Sequence, residues 1–197
     1  MKSRIVLFVF LLVSWACEDA GSPVNFGESS APILPLKTGN TWSYRISLYD
    51  TLGSLIELYF DTVVVQSPTI VSGEEWYLWR DPDEYLADQT SGTWYRNIRS
   101  DTMSAPGLFY KYPVSVGESW ISPHMMYSTI SVKAISTDAV IDVPAGRFAC
   151  YVYQLGASQI FDYLVPGIGL VFSRAYELVP SGNRFTFIRE LVSYRLR

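Results

Sequence analysis

Apolar and polar residues alternate along most of this chain, beginning at Trp42. One face of the first extended segment carries four apolar side chains, Trp42, Tyr44, Ile46 and Leu48. A period of two predicts a half-buried β-strand and not a helix. After a turn at 50–53, a second segment at 55–66 carries its own stripe on one side, Ile56, Leu58, Phe60, Thr62 and Val64. The two segments together predict a β-hairpin.

Similar short segments continue to the C-terminus, rich in β-branched and aromatic residues and separated by Gly, Pro, Asn, Asp and Ser. No stretch of helical length keeps a 3.6-residue period without interruption by Gly or Pro. The pattern predicts an all-β, antiparallel meander of about ten to twelve strands. A flat open sheet of that size would leave an uncovered apolar face, so we expect a half-barrel, a closed barrel or a two-layer sheet.

A motif that starts a strand occurs twice, at 35–42 and at 113–120. Each copy has Pro, an aliphatic residue, any residue, a β-branched residue, Gly, an amide or acid, a hydroxyl residue and Trp. Pro and Gly are typical of turns, and Trp is typical of strands. Both copies are therefore predicted to turn the chain into a new strand.

The N-terminus predicts export. Lys2 and Arg4 precede an apolar run at 5–13, which is too short to span a bilayer as a helix and ends near Ala16 and Cys17. These residues resemble a bacterial lipoprotein signal, which implies cleavage before Cys17, a diacylglycerol on its thiol and a membrane anchor. The implied location is the bacterial cell envelope, at the outer membrane or cell surface. The alternative is an ordinary secretory signal with an incidental cysteine.

Length and composition complete the domain prediction. The chain has 197 residues, of which 49% are apolar and 17% charged, so it is long enough for one substantial core and is not disordered. We predict a signal peptide at 1–16, a flexible Gly/Pro/Ser-rich tether at 17–32 and a single β domain at 33–197. The only other cysteine, Cys150, lies in an apolar strand, where we expect it to be buried.

Three further stretches resemble a group of uncharacterised bacterial exported lipoproteins. They are the opening motif at 35–44, the turn at 143–151 and the PGIGLV hairpin at 166–171. The resemblance implies an exported protein and carries no activity or site residue with it.

Candidate catalytic and metal-binding patterns are weak. His124 is the only histidine, so neither a zinc pair nor a Ser-His-acid triad is predicted. Asp81, Asp83, Glu84 and Asp88 lack the glycine and trailing glutamate of a calcium loop, which favours a solvated loop. We predict no catalytic residue, no metal and no cofactor.

Two more features narrow the partners. Residues 167–169 have two glycines of a dinucleotide fingerprint, but a strand follows them, so a hairpin turn is predicted. The formal net charge is −4, and loss of the two basic residues of the leader makes it −6, without a basic stripe. Nucleic acid is therefore not a predicted partner.

Aromatic residues give the one candidate binding surface. The chain has 6 Trp and 14 Tyr, more than one small core holds. Alternation places five of them opposite their core neighbours: Tyr77, Trp79, Tyr95, Tyr151 and Tyr153. Such rings bind sugars or acyl chains, although a curled sheet covered on both faces would also bury them.

The sequence thus predicts a non-catalytic, lipid-anchored β-sheet module that binds or scaffolds an unidentified ligand. Two alternatives stay open: a carrier of a hydrophobic ligand in a half-barrel cavity, and a glycan hydrolase that uses carboxylates alone. The oligomeric state is not predicted.

Overall fold

The computed structural model describes residues 30–79, 84–99, 102–103, 105–123, 129–156, 160–178 and 184–197. The strands in these ranges are β1 (Thr41–Tyr49), β2 (Leu55–Val64), β3 (Thr69–Val71), β4 (Glu74–Leu78), β5 (Glu84–Gln89), β6 (Gly92–Arg99), β7 (Thr102–Met103), β8 (Gly107–Lys111), β9 (Ser119–Pro123), β10 (Thr129–Val143), β11 (Gly146–Leu155), β12 (Ile160–Val165), β13 (Gly169–Leu178) and β14 (Arg184–Arg195). The predicted all-β class is confirmed, and the described ranges hold fourteen strands where about ten to twelve were predicted. All of them except β3 and β7 have five residues or more. The described ranges contain no helix of the length and hydropathy needed to cross a bilayer.

The strands form two antiparallel sheets. The larger has the order β2-β1-β14-β13-β12-β11-β10-β9, and the smaller has β3-β4-β5-β6-β7 with β8 also paired to β6. Strands β9 to β14 follow one another as a meander, and the β1–β2 hairpin joins them through β14. Within the described residues the larger sheet stays open, with β2 and β9 at its edges, so it is not a closed barrel.

Both copies of the repeated motif make the same turn. Gly39 and Gly117 have positive φ angles of 88° and 90°, which glycine adopts at no steric cost. The Gly39 amide donates to the Val65 carbonyl and the Gly117 amide to the Ala134 carbonyl, each at 2.8 Å. In return, the Val65 amide donates to the Asn40 carbonyl and the Ala134 amide to the Glu118 carbonyl, both at 2.9 Å. The motif therefore starts a strand by registering it against the next strand, β2 or β10.

A bend in the β10–β11 hairpin shapes the larger sheet. Its register shifts between Ala134 and Ser136 and again between Ser136 and Ala139. Such irregularities bend a strand pair. The tip of the hairpin then meets β14, where the Ala145 amide donates to the Leu191 carbonyl at 3.0 Å.

Two apolar clusters fill the molecule. The inter-sheet cluster contains Ile33, Leu34, Leu36, Leu86, Tyr95, Tyr110, Ile130, Val132, Tyr153, Leu155, Leu164 and Leu170. The hairpin cluster contains Trp42, Tyr44, Ile46, Val63, Val65, Phe148, Cys150, Val165, Ile168, Val171 and Leu191. Trp42 is held by its indole N–H, which donates to the Ile168 carbonyl at 2.6 Å. The predicted inward face of β1 is thus confirmed at Trp42, Tyr44 and Ile46, whereas Leu48 is only half-buried and Ser47 is buried in its place.

Strand β2 presents its apolar stripe outward. Phe60 pairs with Arg45, whereas Val63 pairs with Trp42, so the stripe lies on the face opposite Trp42. Phe60 is 66% exposed, while Val63 is buried. The pairing register decides which face a strand buries, and alternation within one strand does not reveal that register.

Candidate functional site

A cavity of about 340 Å³ lies between the two sheets. Strands β5, β6 and β8 supply one wall, strands β11 to β14 the other, and Leu34 closes one side. The apolar lining consists of Leu34, Trp79, Leu86, Tyr95, Phe109, Leu155, Ile160, Leu164, Leu170, Ala175 and Phe187. The sequence predicted a ligand cavity in the concave face of a half-barrel as one alternative, whereas this cavity is bounded by two sheets.

Three polar side chains cross the wall made by the larger sheet. Asp162 on β12 pairs with Ser173 on β13, and Ser173 pairs with Arg189 on β14. Directly paired residues share a face of the sheet, so the three side chains form one row. All three line the cavity, and their exposed fractions are 6%, 5% and 9%. Charged side chains are almost never this deeply buried unless a hydrogen bond, an ion pair or a ligand compensates the loss of water.

Asp162 is held by a tyrosine from the smaller sheet. The Tyr110 hydroxyl donates to Oδ2 of Asp162 at 2.6 Å. The Tyr110 ring packs against Phe109 and Tyr153, with centroid distances of 4.5 and 5.2 Å. Because Tyr110 lies on β8 and Asp162 on β12, this contact joins the two sheets at the cavity.

Arg189 is held by aromatic faces. Its guanidinium lies 5.0 Å from the Phe187 ring centroid and 5.5 Å from that of Tyr44. Tyr44 is in turn fixed by its hydroxyl, which donates to the Leu170 carbonyl at 3.0 Å. Cation–π contacts of this kind partly replace the water that a buried guanidinium loses.

The five predicted aromatic residues do not form one open face. Trp79 and Tyr95 line the cavity. Tyr153 is fully buried behind it; its hydroxyl donates to the Lys111 carbonyl at 2.8 Å, and burial raises its pKa. Tyr153 and Tyr95 are therefore buried, as expected for a sheet that is covered on both faces.

The other two predicted aromatic residues lie outside the cavity. Tyr151 is half-buried and meets Tyr112 edge to face, with ring centroids 5.2 Å apart. Tyr77 donates to the Glu75 carboxylate at 2.7 Å, and desolvation, followed by that bond, raises its pKa to about 12. Both pack against the inter-sheet cluster.

Of the remaining candidate residues from the sequence, some lie outside the described residues and one lines the cavity. Cys17, His124, Asp81 and Asp83 lie outside the described residues. Glu84 lines the cavity from the smaller sheet. No group of three or more His, Cys, Asp or Glu side chains within the described ranges is arranged to hold a metal ion.

Two other candidates have local roles in the fold. Asp88 accepts hydrogen bonds from the Leu36 amide at 2.9 Å and the Thr93 hydroxyl at 3.1 Å, which ties the segment before β1 to the β5–β6 hairpin. Residues 167–169 form the predicted turn between β12 and β13, in which the Ile168 amide donates to the Val165 carbonyl at 2.9 Å.

Sequence reasoning missed the polar row of Asp162, Ser173 and Arg189 together with Tyr110. These residues come from four strands and form no motif. One signal was available: Asp162 is the only charged residue in the apolar strand 160–165. A carboxylate in an otherwise buried strand is informative because its burial needs an explanation.

No family model and no curated protein matches this sequence. Among solved structures, the chain is similar to a predicted exported protein with a YmcC-like fold from Bacteroides fragilis, at 13% identity and a TM-score of 0.43, covering 84% of this chain and 100% of that one. It is also similar to a predicted lipoprotein from Parabacteroides distasonis, at 12% identity and a TM-score of 0.37, covering 84% and 99%. At such low identity and TM-score, neither structure lends this chain a function.

Proposed function

We propose that this protein is a non-catalytic, lipid-anchored protein of the bacterial envelope that binds a small hydrophobic ligand between its two sheets. The observation that carries the binding function is the inter-sheet cavity of about 340 Å³ with its predominantly apolar lining. Ligand sites are typically concave, apolar and furnished with a few polar groups that orient the ligand. The row of Asp162, Ser173 and Arg189 would supply those groups.

The size of the cavity limits the ligand. Its volume lies near the lower end of small-molecule sites, which run from about 300 to 1,000 Å³. A single short acyl chain or an aromatic ring system suits this space, whereas a two-chain phospholipid does not.

The anchor rests on Cys17. The other cysteine, Cys150, is fully buried, and desolvation raises its pKa to about 12. Since the thiolate is the nucleophile in cysteine chemistry, Cys150 is a poor site for modification in the folded protein. Attachment of two or more acyl chains to Cys17 would make the membrane association stable.

Ligand binding is tested with N-phenyl-1-naphthylamine, a neutral apolar probe that fluoresces when it leaves water. We expect saturable binding to the wild type and loss of binding in Ala175→Phe, because the new ring would occupy the cavity. Val140→Phe is the matched control, since it adds the same ring at an exposed position outside the cavity. Near-ultraviolet circular dichroism checks that both variants fold. Equal probe binding by Ala175→Phe and the wild type would contradict the cavity as the binding site.

Lipidation is tested by growing cells with an azido fatty acid and measuring the intact mass of the membrane-associated protein. We expect the label on the wild type and on Cys150→Ala, and none on Cys17→Ser. Equal labelling of Cys17→Ser and the wild type would remove the anchor from the proposal.

Carboxylate-based glycan hydrolysis is the second candidate, because Glu84 and Asp162 line the same cavity from opposite sheets. The apolar lining argues against it, since a glycan needs many hydrogen-bond partners. Release of reducing sugar from envelope glycans by the wild type, abolished in Glu84→Gln, would replace the binding function with this one.

A further inference from the structure

Asp162 has an oxygen available to a ligand. Its Oδ2 accepts the Tyr110 hydroxyl, and no other hydrogen bond or ion pair to its side chain occurs among the described residues. Asp162 lines the cavity, and its other oxygen, Oδ1, has no hydrogen-bond donor among the described residues. A carboxylate that is 6% exposed and bound to one phenol lacks most of the donors that it would have in water.

The charges and rings around this oxygen favour a cation. The ionisable acids and bases that line the cavity are two carboxylates, of Glu84 and Asp162, and one guanidinium, of Arg189. Arg189 lies two strands from Asp162 along the row and packs against aromatic rings. The lining also includes aromatic residues, among them Trp79 and Phe109. Aromatic faces beside a carboxylate are the environment that binds organic ammonium ions.

We propose that the ligand of this cavity is a small organic amine, with an apolar chain or ring and an ammonium group that donates to Oδ1 of Asp162. This inference rests on the proposed ligand-binding function and specifies its ligand class. The apolar part lies among the leucines between the sheets, and the ammonium completes the hydrogen bonding of the buried carboxylate. A carboxylate-bearing ligand of the same length is disfavoured at this oxygen by like-charge repulsion.

The test uses three probes with the same eight-carbon chain: octylamine, 1-octanol and octanoate. Each is titrated against wild-type protein carrying N-phenyl-1-naphthylamine, and its affinity is measured by displacement of that dye. We expect octylamine to bind at least about tenfold more tightly than 1-octanol, the gain that a charge-assisted hydrogen bond gives. In Asp162→Asn, we expect that advantage to disappear while 1-octanol still binds.

Two further variants keep the test decisive. Asp142→Asn removes the same charge from a side chain that is 77% exposed, so it controls for the net charge of the protein and should keep the amine preference. Tyr110→Phe removes the phenol oxygen that bonds Oδ2 and frees this acceptor for the ligand, so it should increase the amine preference. If Asp162→Asn does not fold, an unchanged or weaker amine preference in Tyr110→Phe overturns the inference.

The outcomes separate this inference from the proposed function. Octanoate binding most tightly, or octylamine and 1-octanol binding equally to the wild type, would overturn the amine and leave a hydrophobic ligand site. An amine preference that survives in Asp162→Asn would also overturn it. If the dye does not bind, or none of the three probes displaces it, the ligand-binding function itself fails.

Discussion

We predict that Asp88 makes the stability of this protein depend on pH. Burial raises the pKa of its carboxyl from 3.8 to about 6, because desolvation outweighs the hydrogen bonds from the Leu36 amide and the Thr93 hydroxyl. The folded state therefore holds the proton more tightly than the unfolded state does. The contribution of Asp88 to stability is greatest below about pH 4 and decreases as the pH rises to about 6, by on the order of 3 kcal/mol.

The substitution Asp88→Asn isolates this effect, because an amide of the same shape does not titrate. Urea unfolding followed by tryptophan fluorescence, from about pH 4 to about pH 8, measures the free energy of unfolding of both proteins. We expect the wild type to lose about 3 kcal/mol relative to the variant across this range. The exposed substitution Asp142→Asn should leave the wild-type pH profile in this range nearly unchanged. A difference between wild type and Asp88→Asn that is flat, or that grows in favour of the wild type as the pH rises, would refute the reasoning.

Three other substitutions test the fold. Trp42→Phe removes the buried indole N–H that donates to a carbonyl of the β12–β13 turn, so the free energy of unfolding measured with urea should fall by about 2 to 4 kcal/mol. Trp94→Phe is the control: its indole hydrogen bond is exposed, so the loss should be less than about 1 kcal/mol. Gly92→Ala should destabilise clearly more than Gly73→Ala, because both have positive φ but a Cβ at Gly92 would overlap a carbonyl oxygen of β8, whereas Gly73 faces open space. Phe60→Lys on the exposed edge strand β2 should change the unfolding free energy by less than about 0.5 kcal/mol and reduce turbidity on warming; equal turbidity would show that this edge does not drive association.

The strand pattern was predictable because it depends on neighbouring residues. Alternation at Trp42, Tyr44 and Ile46 correctly identified the buried face of β1, and the repeated motif correctly identified two strand starts. The turns at 144–146 and 166–169 were predictable for the same reason, because Pro and Gly within each turn determine it. Each turn connects two paired strands, β10 with β11 and β12 with β13.

The outward stripe of β2 and the polar row were not predictable in the same way. Whether Phe60 faces the core depends on its pairing with Arg45 on β1. The sequence of β2 alone does not reveal that pairing. The contact between Tyr110 and Asp162 joins residues 52 positions apart on different sheets. Side chains that converge from several strands become neighbours only through the order and register of those strands.

The cavity departs from the rules that the rest of the molecule follows. Elsewhere the buried residues are mostly Leu, Val, Ile and aromatic residues, and the buried polar residues outside the cavity are the uncharged Asn40, Ser47, Thr93 and Ser122. At Asp162 and Arg189 the chain instead buries opposite charges two strands apart, where a phenol hydroxyl and aromatic rings offset part of their desolvation cost. Apolar residues of similar volume would fill the same positions at lower cost. Buried charges beside an apolar space are typical of a binding site, and a ligand that bound them would stabilise the folded protein by mass action.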